Sequence, residues 1–125
     1  MGLLTRGDLL KKEELLKEKV ELNENGDYVF VRQMTAHEKN VWEMSQMKKT
    51  LDSKKKVQYD LTLDDFRAKL AVCCVCDENG NLLFDPKDYL ELSANISAAT
   101  LEKIVDVAQK LNAITEEDKE EMVKN

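Results

Sequence analysis

The sequence predicts a single, mostly helical α+β domain carrying one small antiparallel β-hairpin near its start. Three observations point there. An Asn25-Gly26 turn separates two runs rich in strand formers. Helix-start signatures recur at Thr35, Thr62, Asp85 and Ser97. A regular apolar stripe runs from Leu101 to Leu111. At 125 residues, with 42% hydrophobic and 35% charged side chains, the chain can bury a real core and has an ordinary globular composition.

Taken in order, Thr5 and Asp8 have the Ser/Thr-x-x-acid form of a helix start, and DLLKKEELL follows. The hairpin is expected over residues 18–34: Val20 and Leu22 alternate with Lys19 and Glu21, and Tyr28–Arg32 reads YVFVR. Thr35 with Glu38 forms a capping box that opens a helix over 36–49. On that helix His37, Val41, Met44 and Lys48 form one stripe, while Trp42 and Met47 fall off it. Residues 50–61 read as a loop. Thr62 and Asp65 open a helix over 63–76, apolar on every side in its last turns, and such a helix is normally buried. Asp77–Gly80 supplies turn chemistry, and Leu82–Phe84 is a short apolar run. Asp85 and Pro86 start a short helix over 86–94. Ser97 caps the clearest helix, 98–113, with Leu101, Ile104, Val105, Ala108 and Leu111 on one face. A last acidic helix is expected over 116–124, after Thr115. No internal repeat or low-complexity linker stands out.

Charge narrows the function. The net −6 divides into +1 over residues 1–60 and −7 over residues 61–125, which disfavours nucleic acid as a partner. The basic cluster Lys48, Lys49, Lys54, Lys55 and Lys56 has no interleaved aromatics and reads as solvated surface. No apolar run reaches the ~18 residues of a membrane span. The start lacks a signal peptide's apolar stretch, and Arg6 stands where a myristoylation signal wants Ser or Thr. A cytoplasmic location with reduced thiols is the expectation.

All three cysteines lie in LAVCCVCDENG, with Cys73 and Cys76 as a C-x-x-C pair. A redox pair usually opens a helix, whereas these cysteines close one and Asp77 and Glu78 follow at once. Zinc needs four ligands, and no second pair or His cluster accompanies them. They read as core, with a thiol or metal protein as the rival. His37 is the one histidine, and neither it nor the cysteines has an activating neighbour. Phosphate loops, G-x-S-x-G and H-E-x-x-H are absent, so no catalytic, cofactor or metal site is assigned and no enzyme is expected.

The string DYVFVRQMTAHEKNVWE resembles the strand, Arg-x-Met-Thr and charged helix of the tail assembly chaperones of long-tailed phages and prophages. LDDFRAKLAVCCVCDENGNLLF resembles the same family, as does LSANISAATLEKIVDVAQKLNAITEEDKEEMVKN with its Leu-Asn-x-Ile-Thr-Glu-Glu motif. Together these cover roughly residues 5–125 in the expected order, though each alone is a capping and packing pattern. The resemblance implies a non-enzymatic protein of the bacterial host cytoplasm that keeps the tape measure protein soluble until the tail tube polymerises, and is absent from the mature virion. A longer frameshifted form of the chain and the tail tube protein are implied as further partners; pairing with copies of itself is left open. A small structural tail or connector protein is the alternative. Met34, Trp42, Met44 and Met47 are the candidate client contacts, since methionine adapts to varied partners. The competing reading is that they are core.

Overall fold

The structure is a computed structural model and describes residues 2–51, 57–61 and 65–114. The fold is α+β, with more residues in helix than in strand. Helix α1, Arg6–Leu10, opens on a complete capping box: Asp8 N–H donates to Thr5 Oγ1 (3.3 Å) and the Asp8 carboxylate accepts from Thr5 N–H (3.0 Å). Strands β1, Lys17–Glu21, and β2, Tyr28–Arg32, form the expected antiparallel hairpin, in register from Lys17↔Arg32 to Glu21↔Tyr28. The connecting loop is longer than a two-residue turn. Asn23 Oδ1 accepts from the N–H groups of Asn25 and Asp27, and Gly26 takes φ +84°, a conformation few side chains tolerate.

Helix α2, Ala36–Met44, begins with the Thr35–Glu38 capping box but stops short of the expected residue 49. Ser45 N–H closes on the carbonyls of Val41 and Trp42, and the chain turns out of the helix at Gln46. The span 50–61, expected to be a loop, instead carries much of a second hairpin, β3 (Met47–Leu51) paired antiparallel with β4 (Val57–Leu61). Its signal was in the sequence: Val57, Tyr59 and Leu61 alternate with Gln58 and Asp60, the period of a strand. Lys48 and Lys49 lie on β3, whereas Lys54–Lys56 lie outside the described residues. So do the Thr62 cap and the expected helix 116–124.

Helix α3, Phe66–Cys74, is the central element, buried along Ala68, Leu70, Ala71, Val72 and Cys74 and flanked by α2, α4 and α5. It ends two residues before the expected 76. Val75 and Cys76 leave it to form β5, which pairs with β2 at Val31↔Val75 and Phe30↔Cys76. The physical reason is the inner edge of β2. Buried next to the core, its backbone groups need partners, and β-branched Val75 suits a strand. The sheet order is β1-β2-β5.

Asp85 and Pro86 open a 3₁₀ turn, Pro86–Asp88, before helix α4, Tyr89–Asn95. Helix α5, Ala98–Leu111, is capped by Ser97 and lays Leu101, Ile104, Val105 and Ala108 across α3 and the hairpin, with Leu111 half-buried at the end of the stripe. The core joins these to Val20, Val31, Met34, Trp42, Leu70 and Cys74. Asn112 locks the end of α5 to the end of β2: its Oδ1 accepts from Met34 N–H (2.7 Å) and its Nδ2 donates to the Ala108 carbonyl (2.8 Å).

Candidate functional site

The cysteines come first, because they form the one thiol cluster of the sequence. Cys74 and Cys76 are buried, Cys73 is half-buried, and all three are free thiols. Burial pushes the Cys73 thiol up to about 11 and raises Cys74 and Cys76 as well, against the partial relief of the Arg32 charge. Such thiols are protonated at neutral pH and make poor nucleophiles. His37 is exposed in the first turn of α2 and donates no hydrogen bond to a thiol among the described residues. Among those residues no group of three His, Cys, Asp or Glu side chains converges as a metal site would require.

A cleft of about 670 Å³ lies beside the sheet, lined by Lys12, Lys17, Arg32, Glu38 and Gly80 among others. Its central cation is already committed. Arg32 donates from both terminal nitrogens to Glu38 (2.9 and 2.8 Å) and again to the Gln33 carbonyl (2.9 Å). The bidentate bond holds the Glu38 carboxyl below its ordinary range and braces the start of α2 against β2. Its role is structural support.

The candidate contacts divide by helix face. Trp42 is 1% exposed and packs edge-on against Phe66, with ring centroids 5.3 Å apart. Met34 is also in the core. Neither is at the surface, so the competing core reading describes both. Met44 is 59% exposed, and Val41, one turn back on the same stripe, is exposed beside it. Met47 begins β3, opposite Leu61. Thus α2 turns its aromatic face inward and its aliphatic stripe outward, the reverse of a surface tryptophan flanked by methionines.

The apolar surface that sequence reading missed lies in residues 3–16. Helix α1 buries none of its residues despite its complete cap, and Leu3 (99%), Leu4, Leu9, Leu10 and Leu16 stand in solvent. A signal was present: Leu-Leu pairs recur every six residues, at 3–4, 9–10 and 15–16, separated by TRGD and KKEE. That spacing is a short repeat. Exposed apolar side chains concentrated in one short segment are the kind of surface that a partner covers. No helix among the described residues is long and apolar enough to cross a membrane.

Compared with family models, with curated proteins and with solved structures, the chain finds no match in any of the three.

Proposed function

We propose that the protein is a tail assembly chaperone of a long-tailed phage, a non-enzymatic cytoplasmic protein that holds the tape measure protein soluble before the tail tube forms. The observation that carries this reading is the fate of the first of the three segments that carry the resemblance. DYVFVRQMTAHEKNVWE folds as strand β2 followed by the capped helix α2, and α2 offers Val41 and Met44 to solvent. A holdase for long helical clients needs a firm body with an adaptable apolar surface, and methionine on a rigid helix supplies both. The buried, protonated thiols speak against the thiol and metal reading.

The client surface is reassigned accordingly, from Trp42 and Met34 to the outward stripe of Val41 and Met44. The test is coexpression with fragments of a tape measure protein, scored by soluble yield. Val41→Ser with Met44→Ser is expected to lower client yield severalfold while the chaperone alone melts within a few degrees of wild type. Undiminished client solubility in that variant would overturn the assignment of the surface. Persistence of the protein in purified virions would overturn the function in favour of a structural tail component.

A further inference from the structure

Residues 9–16 read LLKKEELL. Laid antiparallel against a second copy of itself, this segment matches at every position. Leu9 meets Leu16, Leu10 meets Leu15, Lys11 meets Glu14 and Lys12 meets Glu13, and each pairing occurs twice about a twofold axis. The match runs one pair further, Asp8 with Lys17, and then fails, since Gly7 would meet Glu18 and Arg6 would meet Lys19. Cross-strand pairs of opposite charge and of apolar side chains are the contacts that stabilise antiparallel association, whereas like charges directly opposed oppose it.

Leu9 and Leu10 form the last turn of α1, a short helix that buries none of its residues, so the pairing opens that turn, whereas residues 11–16 lie outside any helix or strand. Leu9, Leu10 and Leu16 are 62–69% exposed and Leu15 is half-buried. Lys11, Lys12, Glu13 and Glu14 are exposed, and among the described residues none of the four forms an ion pair. The backbone of residues 12–15 has no hydrogen-bond partner among the described residues, while Leu16 is fixed to Gln33 and leads directly into β1. Strand β1 is itself the outer strand of the sheet, so the segment prolongs an open edge.

We infer that the chain forms a twofold-symmetric dimer in which residues 9–16 of two copies pair antiparallel. A second copy is favoured over another occupant because the charge pattern is its own complement. An isologous contact requires such self-matching, and an unrelated partner has no reason to share it. The area agrees. At about 60–120 Å² of apolar surface each, the eight leucines supply about 500–1,000 Å², below the size of stable interfaces and in the range of weak, transient ones, which describes a weak dimer. Paired copies would set two α2 surfaces on one particle, but the pairing does not depend on the chaperone reading.

Sedimentation of the whole chain tests it, with no client present. Wild type is expected to pass from monomer to dimer between about 1 and 200 µM, and the dimer to weaken in high salt. Lys11→Glu with Lys12→Glu, and separately Glu13→Lys with Glu14→Lys, should each weaken dimerisation at least tenfold. A mixture of the two variants should restore it, because EEEE and KKKK match again. That rescue separates pairing from misfolding. A wild type that stays monomeric, variants that dimerise unchanged, or a mixture without heterodimer would each overturn the inference. So would an arm that binds phospholipid vesicles while the protein remains monomeric.

Discussion

Replacing Trp42 tests whether α2 is oriented as described, and it does so with two substitutions of opposite character. Trp42→Ala removes a side chain that is almost wholly enclosed and stacked edge-on against Phe66. Large aromatic truncations in cores cost ~3–5 kcal/mol, and the lost ring pair is worth ~0.5–1.5 kcal/mol of interaction beyond area. One term works the other way. The indole Nε1 is buried without a hydrogen-bond partner among the described residues, a penalty of ~1–3 kcal/mol that truncation relieves. The net expectation for Trp42→Ala is a loss of ~2–5 kcal/mol. Trp42→Phe keeps a ring against Phe66 and deletes the orphan donor. Its loss of two ring carbons, ~1.6 kcal/mol by transfer, is mostly offset by that same relief. It should therefore fall within ~1.5 kcal/mol of wild type. Urea unfolding followed by far-UV circular dichroism measures both, since Trp42 is the one tryptophan and its fluorescence disappears with it. A Trp42→Ala protein as stable as wild type would show the residue is not core. Equal losses in the two variants would refute the argument from the orphan donor.

Leu101→Ala or Ile104→Ala should each cost ~2–5 kcal/mol in the same assay, because both side chains are buried where α5 crosses the core. Glu38 has a depressed folded-state pKa, so its contribution is whole above the unfolded carboxylate value and fades as pH falls through the folded one. Glu38→Gln should thus cost ~1–3 kcal/mol at pH 7, with the gap from wild type closing in urea titrations as the pH falls below the ordinary carboxylate range. Thiol titration should find Cys74 and Cys76 unreactive until denaturant is added. Cys73, raised to about 11, should react slowly at neutral pH and about tenfold faster for each unit that the pH rises toward that value.

The helix caps were legible because each is chemically local: Thr5, Thr35 and Ser97 accept the N–H three residues on. So was the α5 stripe, since five apolar residues at helical spacing admit one inward face. The orientation of α2 was not. Both the Val41–Met44 stripe and the Trp42 face are apolar, and the choice depends on Phe66, twenty-four residues away in sequence. Strand β5 escaped for a related reason. Two residues have no period, and Val75–Cys76 becomes strand through the need of β2 for a partner. The β3–β4 hairpin was hidden by lysines that resemble a loop and by a helical stripe that extends on paper to Lys48. The leucine pairs of the arm escaped because a reading that looks for buried faces passes over residues that bury nothing.

The Asn112 lock has a consequence for synthesis. As the chain leaves the ribosome, the β1–β2 hairpin can close at once, yet Met34 waits for a hydrogen-bond partner 78 positions further on. Contacts of such separation are slow to form, because the intervening chain must be ordered before they repay its entropy. Until α5 is made, Val31, Leu70 and Cys74 lack the helix that covers them. Products cut short before Ser97 would then carry an uncovered apolar underside, ready prey for proteases or aggregation. Quality control of this protein therefore falls at the completion of α5, and a stalled message should leave little stable fragment behind.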